Sequence, residues 1–110
     1  MKLSPTGKRL WLRELDDPGA SDEAVRAIKA DAYGIVYVAG RMGVAGAGDV
    51  LAAKFGPLGK RLWATAYDGP AGLDDDAAAL AVRTGVGVYV AGWLSTPASK
   101  HDVLLVKFKP

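Results

Sequence analysis

The chain has 110 residues, of which 50% are apolar and 24% charged, values typical of one small globular domain and not of a disordered segment. Its 14 basic and 12 acidic residues leave a formal charge of +2, too little for the broad basic face that nucleic-acid binding needs. Because the chain has no cysteine, disulfides, thiolate metal sites and cysteine nucleophiles are excluded. No apolar stretch follows Met1, so neither a signal peptide nor a membrane span is predicted, and the chain as written is expected to stay in the cytoplasm.

Two copies of one unit of about 52 residues fill the chain. The pentapeptide Gly-Lys-Arg-Leu-Trp occurs at Gly7–Trp11 and again at Gly59–Trp63, and Val-Tyr-Val-Ala-Gly occurs at Val36–Gly40 and Val88–Gly92. We place repeat 1 at about residues 2–53 and repeat 2 at about residues 54–106 of a single domain. Residues 107–110 match residues 2–5 and 54–57, so they correspond to the start of a further repeat.

Four strands are predicted for each unit, because short runs rich in Val, Leu and aromatic residues alternate with clusters of Gly, Pro, Asp and Ser. Gly and Pro in the connections favour tight antiparallel turns, so each unit is predicted to be a four-stranded meander. In chain order the predicted strands are Lys8–Leu15, Val25–Ala30, Ile35–Arg41, Asp49–Phe55, Lys60–Tyr67, Ala77–Val82, Gly87–Trp93 and Asp102–Phe108.

The last predicted strand is apolar on both faces. Val103 and Leu105 point one way, and Leu104, Val106 and Phe108 point the other. A sheet that is apolar on both faces needs a neighbour on each side, as the blades of a β-propeller have. The predicted fold is therefore all-β, with two four-stranded propeller blades per chain. A single β-sandwich of eight strands is the alternative.

The repeat also resembles a known family. The runs Asp74–Trp93, His101–Pro110 and, in the adjoining copy, Gly59–Pro70 are similar to the bacterial β-propeller repeats called SBBP repeats, and NHL-type repeats are the second candidate. The sequence departs from that pattern at Lys29–Asp31 and at Val82–Arg83, where the family has Ala-Val-Asp. The resemblance implies a propeller that is often extracytoplasmic and of scaffold-like role, and it implies little about activity.

The resemblance further implies that the strand after each acidic loop is innermost and that Lys8–Leu15 and Lys60–Tyr67 are outermost. The last three strands then lack an outer partner, and the first outer strand lacks inner ones. An unpaired strand edge and an unattached strand are both unfavourable, because their backbone hydrogen-bonding groups go unused. We therefore expect Lys8–Leu15 to complete the last blade of a neighbouring chain, head to tail. The residues of this predicted clasp are Lys8, Arg9, Leu10, Trp11, Leu12, Val103, Leu104, Leu105 and Val106.

Ring size is predicted from the shape of the blade. Closed propellers have about four to eight blades, so two-bladed chains form rings as homodimers, homotrimers or homotetramers. Small alanines on the inner strands and Trp11 and Trp63 on the outer strands predict a wide wedge, which favours a six-bladed homotrimer, with an eight-bladed homotetramer next. A homodimer, or a piece of a longer natural propeller, stays open.

Carboxylates and one tryptophan are the candidate ligand-binding residues. Asp22, Asp74, Asp75 and Asp76 lie in two corresponding acidic loops that would face one mouth of the ring, where oxygen ligands could hold Ca²⁺. No cofactor is otherwise predicted, and hydrogen bonding to turn backbone is the plainer role for Asp22 and Asp74. Trp93 lies beside a loop and corresponds to Arg41, so it is the better candidate for a ligand contact.

Catalysis is not predicted. The loop Gly40–Asp49 lacks the spacing of a phosphate-binding loop, and His101 with Asp102, Ser95 and Ser99 is a local cluster without the geometry of a triad. A hydrolase with paired carboxylates across the channel is the weakest hypothesis. The sequence favours a non-enzymatic structural or interaction module whose partner is itself, with a lectin-like or cation-binding propeller as the alternative.

Overall fold

A computed structural model describes residues 1–12, 22–43, 48–67, 74–97 and 100–110, with only the backbone described at Asp22 and His101. All regular secondary structure in these segments is β-strand, which confirms the predicted all-β class. Nothing in the described part of the chain forms a helix of the length and apolarity that crossing a membrane requires.

The strands of the described segments form three antiparallel sheets. We call them the N-terminal hairpin (β1–β2), the four-stranded sheet (β3–β4–β5–β6) and the three-stranded sheet (β7–β8–β9). The strands are β1 Lys2–Leu3, β2 Arg9–Trp11, β3 Asp22–Ala30, β4 Val36–Gly43, β5 Asp49–Phe55, β6 Arg61–Tyr67, β7 Asp75–Arg83, β8 Gly87–Ser95 and β9 His101–Phe108.

The four-stranded sheet is a meander, because consecutive strands are neighbours in it, and it joins the last three strands of repeat 1 to the first strand of repeat 2. The three-stranded sheet repeats its first three strands and ends at β9 without a fourth, as the sequence predicts for one chain. The described sheets form no closed barrel or ring within the chain. Residues 13–15, the end of the first predicted outer strand, lie outside the described segments.

Details of the two sheets recur at the spacing of the repeat. The first strand of each sheet has a β-bulge, between Val25 and Ala27 in β3 and between Ala77 and Ala79 in β7. The ammonium group of a lysine also lies over a tyrosine ring in each sheet, at 5.6 Å for Lys54 and Tyr37 and at 5.5 Å for Lys107 and Tyr89. The sequence repeat is therefore a repeat of side-chain packing.

The N-terminal hairpin is a feature that the sequence interpretation missed. Instead of lying unattached, β2 pairs with β1, with Lys2 opposite Trp11 and Leu3 opposite Arg9. Its turn is closed by a hydrogen bond from the Ser4 amide to the Lys8 carbonyl oxygen (2.7 Å) and contains Gly7 at a φ of 90°. Glycine occupies this left-handed conformation without steric cost.

The core lies between the four-stranded and three-stranded sheets, which pack face to face. Its buried residues come from the two central strands of the four-stranded sheet and from all three strands of the other sheet: Tyr37, Ala39, Val50, Ala52, Ala77, Leu80, Val88, Val90 and Leu104. The outer strand β6 adds Trp63 and Tyr67 at the margin of this core. Nine of the twelve buried hydrophobic residues in the described part of the chain thus belong to one junction between two sheets.

A glycine in each sheet allows the bulged strand to approach closely. A Cβ added to Gly92 would lie 2.1 Å from the Asp76 carbonyl oxygen, and one added to Gly40 would lie 2.0 Å from the Ala24 carbonyl oxygen. These two pairs are equivalent in the repeat. Glycine therefore recurs at the end of the Val-Tyr-Val-Ala-Gly segment because a side chain at this position would clash with the neighbouring backbone.

We predict that Gly92→Ala lowers the free energy of unfolding by about 1–3 kcal/mol, because the backbone of β7 must move away from β8. The measurement is urea denaturation followed by circular dichroism. Gly56→Ala is the matched control, since its added Cβ would lie 3.7 Å from the nearest atom, an ordinary contact. Equal losses of stability in the two variants would contradict the steric explanation.

Candidate assembly interface

Two apolar faces remain on the outside of the packed pair of sheets. We call the outer face of the four-stranded sheet the leading face and the outer face of the three-stranded sheet the trailing face. Because side chains alternate along a strand, residues next to core residues point outwards. The leading face contains Val25, Ile28, Val36, Val38 and the buried Leu51 at the base of a groove, and the trailing face contains Tyr89, Ala91, Val103 and Leu105.

Each outer residue has a counterpart in the core. On the leading face Val25 and Ile28 are 64% and 62% exposed, whereas their counterparts Ala77 and Leu80 are 3% and 6% exposed. On the trailing face Val103 and Leu105 are 90% and 72% exposed, whereas their counterparts Val50 and Ala52 are fully buried. The two outer faces are thus the same two surfaces that meet inside the chain.

A groove of about 720 Å³ runs along the leading face. Its floor is formed by the four-stranded sheet, including Val36, Val38 and Phe55, and its wall by the N-terminal hairpin with Leu3 and Trp11. The lining is predominantly apolar, and a contiguous apolar surface of this kind is typical of an interaction site in a small soluble domain.

The hairpin is held on the four-stranded sheet by Trp11. The Trp11 Nε1 donates a hydrogen bond to the Pro57 carbonyl oxygen at 3.0 Å, and its ring lies against the backbone of Gly59. The equivalent Trp63 donates from Nε1 to the main-chain oxygen of Pro110, also at 3.0 Å, and its ring packs beside Phe108. The hairpin therefore sits against the four-stranded sheet as the outer strand β6 sits against the three-stranded sheet.

The predicted clasp has its two halves in different sheets of the same chain. Lys8, Arg9, Leu10 and Leu12 are exposed, and Trp11 is half-buried. In β9, Leu104 is buried and Val106 packs against the core, while Val103 and Leu105 are exposed. In the described segments β2 does not pair with β9, and the clasp stays a prediction about two chains.

Ion pairs join the four-stranded and three-stranded sheets at one end of the core. The Arg26 guanidinium donates from Nη2 to Asp76 Oδ2 at 2.9 Å and from Nε to both carboxylate oxygens at 3.2 Å. Arg41, whose side chain is 7% exposed, pairs with Asp74, whose Oδ1 also accepts a hydrogen bond from the Gly48 amide at 2.8 Å. Such bidentate and charge-assisted contacts fix the orientation of the two sheets.

Three of the predicted ligand-binding carboxylates lie at this junction. Asp75 and Asp76 are 1% and 4% exposed, and Asp74 is the partner of Arg41. The side chain of Asp22 lies outside the described atoms. Asp74 accepts a hydrogen bond from the amide of Gly48, which lies in a different part of the chain, so the predicted bond of Asp74 to turn backbone stays a prediction. The described residues contain no group of three acidic or histidine side chains suited to a metal ion, and Ca²⁺ binding stays a prediction.

Trp93 lies on the trailing face, where it replaces Arg41 of the other copy. Its neighbours across the sheet are Asp76 in β7 and Val103 in β9, and it is half-buried. This position makes Trp93 part of the same outer surface as Val103 and Leu105. A ligand contact by Trp93 stays a prediction, as does any role of the His101 side chain, which lies outside the described atoms.

Tyr37 is the largest side chain buried between the sheets. Burial raises the pKa of its hydroxyl, and the charge of Asp31 raises it further. The hydroxyl of Tyr37 therefore holds its proton more tightly in the folded chain than in the unfolded chain. The stability that the protonated Tyr37 contributes is complete below the ordinary tyrosine pKa and is lost as the pH rises through the raised pKa.

Comparison with known proteins adds no relative: a scan against protein-family models finds no match, and neither does a search of curated proteins. The similarity to SBBP repeats therefore stays a prediction from the sequence. The two copies of the repeat within the chain can be compared with each other.

Sequence interpretation missed Arg26 and Arg41 as members of the junction. A signal was present, because the repeat breaks at these positions. Arg26 corresponds to Ala78 and its partner Asp76 corresponds to Ala24, so one copy has an ion pair where the other has two alanines.

We predict that Arg26→Ala destabilises the chain by about 3 kcal/mol and Asp76→Ala by about half as much. The side chain of Asp76 is 6% exposed and is left as an uncompensated buried charge when arginine is removed. The Arg26 side chain is 46% exposed, so it can turn to water when the carboxylate is removed.

Urea denaturation of both single variants and of the double variant measures this effect. The double variant recreates the alanine pair of the other copy and should be more stable than the sum of the single losses predicts. Strict additivity, or a larger loss for Asp76→Ala, would show that the pair does not work in this way.

Proposed function

We propose that the protein is a non-enzymatic structural or interaction module, a two-bladed unit that associates head to tail into a closed β-propeller. One observation carries the proposal: each outer face corresponds, residue by residue, to a face that is buried within the chain. A second copy whose trailing face lies against the leading face of the first would therefore repeat a junction that already exists.

The identity of the side chains supports this arrangement. At the junction within the chain, Val50 and Ala52 meet the surface that includes Leu80 and Val90. At a junction between chains, Val103 and Leu105 would meet the surface that includes Ile28 and Val38. Every residue in both sets is apolar, and burying a large aliphatic side chain contributes about 1.5–3 kcal/mol.

The exposed faces also argue against an isolated β-sandwich. In a two-sheet sandwich the inner faces are apolar and the outer faces carry polar residues along each strand. Here the outer faces of both sheets carry Val25, Ile28, Val103 and Leu105 at exposures of 62–90%. Sheets that are apolar on both sides are expected in a stack, which a propeller closes into a circle.

The groove beside the N-terminal hairpin is the proposed binding site for the partner's three-stranded sheet. Its floor is the leading face, and its wall is the hairpin that carries the unused outer strand. The partner's three-stranded sheet would fill the groove and gain β2 as its fourth strand. The hairpin could keep its hydrogen bond from Trp11 to Pro57 in this arrangement, because β2 already lies where the outer strand of a preceding blade would lie.

Closure into a ring follows from the wedge shape of the unit. Head-to-tail contacts form a ring when the rotation closes and a filament when it does not. The innermost strands β3 and β7 are rich in alanine, whereas the outer strands carry Trp11, Trp63 and Tyr67. This wide wedge favours six blades from a homotrimer, with eight blades from a homotetramer as the second candidate.

We predict that Leu105→Asp abolishes assembly, because it places a charge in the apolar junction between chains. Sedimentation velocity should give an assembled wild type and a folded, monomeric variant. Leu58→Asp is the control, since Leu58 is 84% exposed at the tip of the β5–β6 turn and lies on neither face. Assembly that survives Leu105→Asp as well as it survives Leu58→Asp would contradict the proposal.

A further inference from the structure

We infer that β1 occupies, on its own β2, the position that the end of a partner's β9 takes in the assembled ring. Assembly would then require Lys2–Leu3 to leave β2 and the partner's Lys107–Phe108 to replace them. This inference rests on the proposed ring, and it adds the register of the contact between chains and an element that competes with it.

The register of the hairpin carries the inference. In β1–β2, Lys2 is opposite Trp11 and Leu3 is opposite Arg9, with a register shift between them. In β5–β6, Lys54 is opposite Trp63 and Phe55 is opposite Arg61, with a register shift at the same place. The turn hydrogen bonds also match, from Ser4 to Lys8 at 2.7 Å and from Gly56 to Lys60 at 2.7 Å.

The chain therefore contains the end of the third strand three times, at Lys2–Leu3, Lys54–Phe55 and Lys107–Phe108, but contains the outer strand only twice. The copy at Lys54–Phe55 pairs with β6. The copies at Lys2–Leu3 and Lys107–Phe108 therefore both have β2 as their pairing partner. Only one of them can form backbone hydrogen bonds with the same edge of β2 at one time.

The length of the contact favours the partner's strand. The pairing of β1 with β2 has two pairs of opposed residues, whereas that of β5 with β6 has six, from Val50 to Phe55. Within the described residues the register of β5 with β6 gives a partner's β9 a third pair, Val106 opposite Leu12, and β9 continues into the three-stranded sheet, while β1 is only a two-residue strand. The short hairpin would thus cover the edge of β2 until a partner arrives, and exposed strand edges otherwise promote unspecific pairing.

The register predicts which residues meet across the chains. Transferring the pairing of β5 with β6 places the partner's Val106 opposite Leu12, as Ala53 is opposite Ala64. Directly opposed residues in antiparallel strands have Cα atoms about 4.5–5.5 Å apart, a distance that a disulfide can bridge. Because the chain has no cysteine, introduced cysteines report on this contact alone.

The first test is the double variant Leu12→Cys/Val106→Cys under oxidising conditions. We expect covalent rings on a non-reducing gel, whose size counts the chains. The control Leu12→Cys/Lys107→Cys places the second cysteine on the opposite face of β9 without removing an apolar side chain of the trailing face, and it should give at least tenfold less cross-linked product. Equal cross-linking in the two variants would overturn the register.

The second test locks the hairpin. In Leu3→Cys/Arg9→Cys the opposed residues of β1 and β2 form a disulfide within the chain, which mass spectrometry of the denatured protein confirms. We expect the oxidised variant to lose assembly at least tenfold and the reduced variant to regain it. An oxidised variant that assembles like wild type would overturn the competition while leaving the ring intact. A wild-type chain that is monomeric at all concentrations would overturn the ring and this inference together.

Discussion

The structure depends on one constraint: the four-stranded and three-stranded sheets, the two large sheets in the described part of the chain, each carry apolar residues on both faces. Packing them together buries one face of each, including Tyr37, Val50 and Val90, and leaves Ile28 and Leu105 outside. The outer faces of a sandwich carry polar residues along each strand, whereas the outer faces of these two sheets expose large apolar residues. The proposed ring satisfies the constraint by joining the end of one stack to the beginning of the next.

The two kinds of junction in this account are not identical. Within the chain Arg26 and Asp76 form a partly buried ion pair, whereas their counterparts at a junction between chains are Ala78 and Ala24. Misplaced neighbours would leave a buried charge without its partner, which is more costly than placing two alanines together. The ion pair therefore distinguishes the junction within a chain from the junction proposed between chains.

Much of the fold could be predicted from the sequence, because the repeat and the alternation of apolar residues determine strands, faces and the missing fourth partner of β9. The pairing of β1 could not, because a strand of only Lys2–Leu3 has no periodicity to detect. The roles of Asp74 and Asp76 were also missed, since a run of acidic residues resembles a solvated loop until the tertiary structure brings Arg26 and Arg41 to it. Positions where the two copies differ, such as Arg41 and Trp93, were the best available signal.

The most direct test of the account is the native mass of the wild-type chain across a hundredfold range of concentration. A closed ring predicts a single species of three or four chains of 11.5 kDa whose mass does not increase with concentration. A monomer throughout would contradict assembly, and a series of species that lengthens with concentration would contradict closure.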